Sequence, residues 1–112
     1  MEIPFNLKEN IKAQRLIGLS RRAGALSYGS EGCIKDLKKK KSKLIITSSD
    51  ISEKTKKELI FAGNGTDIYT SDMTKDELGE IAGTKPTVVL SVNDDNFKKG
   101  ILEVNKLYGK SI

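Results

Sequence analysis

Four short apolar runs recur along the chain: "ALSY" at 25–28, "KLIIT" at 43–47, "DIYT" at 67–70 and "TVVLSV" at 87–92. Each is followed by a segment whose apolar residues fall at helical spacing. This alternation constrains the fold more than any other feature. A continuous apolar run such as "KLIIT" reads as a strand covered on both faces, and the segments between the strands are the cover. Strands separated by helices and joined by short connections predict an α/β protein, built as a three-layer α/β/α sandwich on four strands. A chain of 112 residues suits one such domain over residues 1–112.

The helix boundaries are signalled locally. Asn6 to Glu9 reads as a capping box opening a first helix, with Ile11, Leu16, Leu19 and Ala23 on or near one face and Gly24 as its stop. A second helix starts near Ser30 and shares Cys33, Ile34 and Leu37 along one buried side. Ser52, or Asp50 before it, caps a third that carries Leu59, Ile60 and Phe61 and is broken by "GNG" at 63–65. Thr74 to Glu77 forms a second capping box, with Leu78, Ile81 and Ala82 inward and Gly83 at the end. Asn93 or Asp94 caps a last helix containing Phe97, Ile101, Leu102 and Val104.

Composition narrows the chemistry. There is no histidine, so the commonest general base, the usual zinc ligand and His-dependent triads are absent. Cys33 is the one cysteine, placed among apolar neighbours, and predicts a buried, inert thiol. No phosphate-binding glycine loop of the "GxxxxGK[ST]" or "GxGxxG" kind occurs. Asp50 follows an apolar strand, where receiver-like domains place a functional carboxylate, but a helix cap is the favoured role. The adjacent Asp94 and Asp95 lack a third ligand for a metal, and capping again accounts for them. No enzymatic activity, metal or cofactor is expected. The N-terminal "MEIPFNLKEN" has no basic-then-apolar signal pattern and no apolar run reaches membrane-spanning length, so a cytoplasmic protein without membrane contact is expected.

Charge is unevenly distributed. Residues 1–43 hold eleven Lys/Arg against four Asp/Glu, and residues 44–112 hold nine against eleven. A basic N-terminal part implies an anionic partner met by one face. With only three Phe, three Tyr and no Trp, an aromatic-rich base-stacking platform is not expected. Two features compete for the partner. The run Lys38 to Lys41 lies at the C-terminal end of the second helix, where cations complement the dipole, and its members fan out about 100° apart. The "GSEGCIK" stretch at 29–35 lies at the other end. There Gly29 permits a tight turn, first-turn N–H groups point outward toward a phosphate, Ser30 donates or caps, and Lys35 reaches back from one turn in.

The stretches "LIGLSRRAGALSYG", "KLIITSSDIS", "KKEL", "ELGEIAG" and "VVLSVNDDNF" occur in an order and spacing that resemble the ribosomal L-seven-Ae-like kink-turn RNA-binding proteins, and more closely their YlxQ-type bacterial members. The resemblance spans about residues 10–108. It implies an α/β/α sandwich with a four-stranded mixed sheet, and a non-enzymatic protein that docks a helix N-terminus on sharply bent RNA at tandem sheared G·A pairs. Well-studied members carry "GTNExxK" there, whereas this chain has "GSEGCIK". Gly29, Ser30 and Lys35 match or are conservative, but Glu31 stands for Asn and Gly32 for Glu. An ionised Glu31 only accepts hydrogen bonds, and Gly32 offers no side chain. The second family contact is the loop before the last strand, here "GTKPT" at 83–87, with Lys85 and Pro86. The expected RNA site is therefore Gly29, Ser30, Glu31, Gly32 and Lys35, flanked by Lys85 and Pro86, with Arg21, Arg22, Lys38 and Lys39 as backbone contacts. The expected partner is structured RNA, ribosomal or regulatory, within a ribosome or ribonucleoprotein, bound by a monomer. A protein–protein adaptor of the translation or transcription machinery is the alternative.

Overall fold

The computed structural model describes residues 2–63 and 66–110, the side chains of 107–110 excepted. Five strands form one sheet: β1 (Glu2–Phe5), β2 (Leu26–Tyr28), β3 (Leu44–Thr47), β4 (Ile68–Ser71) and β5 (Val89–Val92). Five helices alternate with them: α1 (Ile11–Arg22), α2 (Ser30–Lys38), α3 (Glu53–Gly63), α4 (Lys75–Ala82) and α5 (Asp95–Lys110). The strand order is β1-β4-β3-β5-β2. β4 runs parallel to β1 and β3, whereas β5 runs antiparallel to β3 and β2. The sheet is thus mixed, but it has five strands rather than the expected four. The additional strand is the N-terminal "EIPF". It is short, contains Pro4, and lies at the sheet edge, where a residue without an N–H is tolerated.

Alternation along the strands divides the core into two. Leu44, Ile46, Leu90 and Val92 pack with Ile17, Leu78, Ala82 and Ile101 on one side of the sheet. Ile45, Ile68 and Val89 pack with Cys33, Leu37 and Leu59 on the other. Helices α1, α4 and α5 therefore cover one face, and α2 and α3 the other. The period of two in a pleated strand requires both layers once the strand is apolar throughout.

Several local expectations hold. Thr74 Oγ1 accepts from the Glu77 N–H while Glu77 accepts from the Thr74 N–H, and Gly83 ends α4 in the left-handed region. Ser52 Oγ accepts from the Thr55 N–H at the start of α3. Asp94 Oδ1 accepts from the N–H groups of Asn96 and Phe97 at the start of α5.

Others are corrected. Asn6 does not cap α1. Leu7 is fully buried, and the N–H groups of Leu7 and Lys8 donate to Asp72 Oδ1 at 2.8 Å each. The helix begins after Asn10, whose side chain accepts from Ala13 N at 3.1 Å. The buried face of α1 is Ala13, Ile17 and Ser20, with Leu16 partly covered, while Ile11 and Leu19 are about half exposed at 51% and 46% and Ala23 is exposed. The reason is that α1 meets two helices, α4 and α5, so small residues must face them. A Cβ on Gly18 would lie 3.3 Å from the Ile81 carbonyl oxygen. On α3, Leu59 is buried but Phe61 is 87% exposed. Of the "GNG" breaker, Gly63 is the last residue of α3 and residues 64 and 65 lie outside the described residues. Asp50 caps, but on a different helix from the one expected: its Oδ1 accepts from the Lys75 N–H at the start of α4.

The lysine run lies at the C-terminal end of α2 as expected, but its four members do not fan around one helix. Only Lys38 is helical; Lys39 is the C-cap. Lys40 N donates to Leu37 O and Lys41 N to Asp36 O, the paired bonds of a Schellman turn. The residue at its left-handed position is Lys40, with φ of 59°. The turns ending α1 and α4 place Gly24 and Gly83 there instead.

Candidate nucleic-acid interface

Strand β2 pairs with β5 through Tyr28 and Leu90, and the chain then turns sharply at Gly29. The Gly29 N–H donates to Thr87 Oγ1 at 2.9 Å and to Val89 O at 3.2 Å. With φ of 82° and ψ of 149°, Gly29 occupies backbone space that residues with a Cβ scarcely visit. Gly29, and not Ser30, is the N-cap of α2, and no side chain caps that terminus. The N–H groups of residues 30–32 thus have no intrahelical partner. Glu31, exposed in the first turn, complements the positive end of the dipole.

Along α2, the residues Glu31, Gly32, Ile34, Lys35, Lys38 and Lys39 line one shallow, open groove. Five of the residues expected at the site therefore share one surface. The three lysines outnumber the single carboxylate there, and Ile34, which packs against the buried Cys33–Leu37 side as expected, also gives the groove an apolar floor. Arg22 is exposed at the end of α1 and does not line this groove. Arg21 lies with its guanidinium 5.6 Å from the ring centre of Tyr28, a cation–π arrangement immediately before the Gly29 turn.

Lys85 and Pro86 are exposed on the loop between α4 and β5. Two residues that were not among the expected contacts hold this loop. Thr87 joins it to the Gly29 turn: its hydroxyl accepts from Gly29 N and donates to Val89 O at 2.7 Å. Gly79 lets it lie against α4, since a Cβ there would overlap the Lys85 carbonyl and come within 2.9 Å of Pro86 Cα. The Thr84 N–H completes the seat by donating to Gly79 O at 2.8 Å. The two stretches expected to contact a partner, 56 residues apart in sequence from Gly29 to Lys85, are thus connected through one hydroxyl.

On another side of α2, Asp36 Oδ2 accepts from Ser27 Oγ and from Asn93 Nδ2, pinning the helix to the β2–β5 pair. Asn93 is spent on this contact, leaving Asp94 as the cap of α5. The Cys33 thiol is fully buried, and burial, reinforced by the nearby Asp36 charge, pushes its pKa up to about 12. Only the thiolate is a nucleophile. Iodoacetamide at pH 8 is therefore expected to leave native Cys33 unmodified and to alkylate it once denaturant unfolds the chain. Rapid native alkylation, read by mass spectrometry, would contradict this burial. No cluster of three or more potential metal-ligating side chains occurs among the described residues, Asp94 and Asp95 included. No helix among them is long and apolar enough to cross a membrane.

A mixed five-stranded α/β/α sandwich, with a helix terminus that no side chain caps and a lysine-lined groove along the same helix, defines a small basic α/β domain. The chain belongs to the ribosomal protein L7Ae/L30e/S12e/Gadd45 family, whose profile matches residues 11–102. Among its relatives is the RNA-binding protein YlxQ of Enterococcus faecium, 33% identical over 94 residues that cover 83% of this chain and 90% of that protein. A protein of unknown function from Bacillus halodurans has a solved structure that superposes with a TM-score of 0.76 at 28% identity, covering 85% of this chain and 97% of its own. The 15.5 kD RNA binding protein of Giardia lamblia shares the fold, with a TM-score of 0.71 at 20% identity over 98% of this chain and 96% of its own.

Proposed function

We propose that this protein binds structured RNA without catalysing a reaction, docking the N-terminal end of α2 against a kink-turn or a similarly bent element of ribosomal or regulatory RNA. The observation that carries the reading is the Thr87 hydroxyl joining the Gly29 turn to the Lys85–Pro86 loop. It links the first turn of α2, whose N–H groups have no intrahelical partner and which opens onto a lysine-lined groove, to the exposed Lys85–Pro86 loop. Shape and backbone contacts of this kind suit a distorted RNA helix. Family membership and the RNA-binding relative from Enterococcus faecium support the same reading.

In this reading Gly29, Ser30, Glu31, Gly32 and Lys35 make the principal contact, Lys85 and Pro86 flank it, and Lys38, Lys39, Arg21 and Arg22 add to the field along the backbone. The test is a gel shift comparing a kink-turn RNA with one whose sheared G·A pairs are replaced by Watson–Crick pairs. Tighter binding to the kinked RNA is expected, and Lys35→Ala is expected to weaken it more than Lys41→Ala. If about four phosphates are neutralised, log K falls with log[salt] at a slope of about −3 to −4, taking the duplex coefficient. Equal losses from the two lysine variants would misplace the site, and salt-independent binding would remove the electrostatic basis. The adaptor reading draws support from Ile11 and Leu19, half exposed on α1. Co-purification with a protein partner, together with no shift of kink-turn, stem-loop or ribosomal RNA, would favour it.

A further inference from the structure

Lys40 is left unused by the groove on α2, which ends at Lys38 and Lys39, and so is the exposed ring of Phe61. The fold brings them together. The C-terminal ends of α2 and α3 enclose a second depression, lined by Leu37, Lys38, Lys40, Ser42, Phe61 and Thr66 among others. Among the described residues its lining contains two lysines and no carboxylate. Phe61 is 87% exposed, although α3 buries Leu59 two residues earlier. Lys40 occupies the left-handed position of the Schellman turn, where α1 and α4 use glycine. A lysine there is held against its conformational preference, and strain of this sort concentrates at binding positions.

We infer that this depression is a second RNA contact, in which Phe61 stacks one unpaired base while Lys38 and Lys40 hold the adjoining phosphates. The inference extends the RNA-binding reading of the preceding section and depends on it for the class of ligand. An aromatic face beside a cationic rim is the arrangement that binds single-stranded nucleic acid with little regard to sequence. Charge selects this occupant: a rim of lysines without carboxylates favours a polyanion, and a flat exposed ring favours a base over an aliphatic side chain. The nine residues of α2 place the Gly29 turn about 13 Å from the Lys40 turn along the helix, and Lys38 borders both depressions, so one RNA with an unpaired strand beside its bend can reach both.

The test uses the full chain and two probes: a blunt-ended kink-turn RNA, and an oligouridine of about twelve nucleotides. Phe61→Ala is expected to weaken oligouridine binding about tenfold and to leave the blunt kink-turn RNA unaffected, while Phe61→Tyr retains oligouridine binding. Because the ring is exposed, these variants keep the fold. Lys40→Gly is expected to weaken oligouridine binding while raising Tm, because glycine relieves the left-handed strain and removes the charge. Lys35→Ala is expected to act chiefly on the kink-turn RNA. Oligouridine affinity unchanged by Phe61→Ala or by Lys40→Gly overturns the inference. So does a self-associating protein that Phe61→Ala renders monomeric with oligouridine binding intact, which would assign the face to a second copy of the chain. Loss of oligouridine binding in Phe61→Ala alongside no kink-turn binding by the unaltered protein would uphold this contact and remove the kink-turn reading.

Discussion

Gly79→Ala is expected to destabilise the protein by about 1–3 kcal/mol or more, and to weaken RNA binding in the molecules that remain folded. In most exposed helices this substitution stabilises, because glycine is the poorer helix former by about 1 kcal/mol. Here the sign reverses. A methyl group at this position would overlap the Lys85 carbonyl oxygen and lie 2.8 Å from its carbon and 2.9 Å from Pro86 Cα. All three atoms are backbone, so no side-chain rotation relieves the overlap. The loop would have to lift, breaking the Thr84 N–H bond to Gly79 O and drawing Thr87 away from Gly29. Chemical denaturation checks the stability term. Gly32→Ala serves as the control, since nothing lies within 4 Å of a Cβ there and helix propensity alone should stabilise it. If Gly79→Ala proves as stable as the unaltered protein, the loop is not seated on α4 as described.

The double substitution Glu31→Asn with Gly32→Glu is expected to raise affinity for kink-turn RNA by roughly thirtyfold or more, the gain for two restored contacts at the lower end of their range. It reinstates the residues that well-studied members of the family carry at these positions. The estimate takes each restored base-edge contact at about 1–3 kcal/mol, by analogy with base readout in DNA. Two features of the molecule make the test clean. Both positions lie in the first turn of α2, on the groove, and a side chain at Gly32 enters open space. The exchange also conserves net charge, removing a carboxylate at one position and adding it at the next. The salt slope should therefore stay constant while the preference for sheared G·A pairs over Watson–Crick pairs increases. An equal gain on both RNAs would show that base readout at this turn is not the missing element. The same comparison explains how Glu31 is tolerated: at an uncapped helix N-terminus its carboxylate stabilises the helix even where it contributes nothing to a base.

The elements read directly from the chain were those whose determinants lie within a few residues of one another. The capping box of Thr74 and Glu77, the strand "LIIT" and the Ser52 cap belong to this group. So does the Gly29 turn, where glycine between a strand and a helix announced the backbone it adopts. Features that depend on distant partners were not read. Strand β1 exists because Glu2–Phe5 pairs with Ile68–Ser71, more than sixty residues away. Asp72 holds the chain that follows β1, and in doing so moves the start of α1 from the expected Asn6 to Asn10. Two further helices decide which side of α1 is buried, and they overrule the apolar residues Ile11 and Leu19.

For the candidate interface the division is similar. Residue types and spacing along "GSEGCIK" are enough to place lysines and exposed N–H groups at one helix, because a helix repeats every 3.6 residues whatever surrounds it. They do not reveal that Thr87 closes on Gly29, that Gly79 yields space to Lys85, or that Phe61 stands beside Lys40. Local sequence set the alternation of strand and helix, the basic excess in residues 1–43 and the chemistry available at α2, since backbone hydrogen bonding and side-chain periodicity act over short spans. Tertiary structure alone decided the fifth strand, the buried face of α1 and the joining of two remote loops into one edge. Those outcomes rest on contacts between residues tens of positions apart, whose pairing depends on how the layers pack.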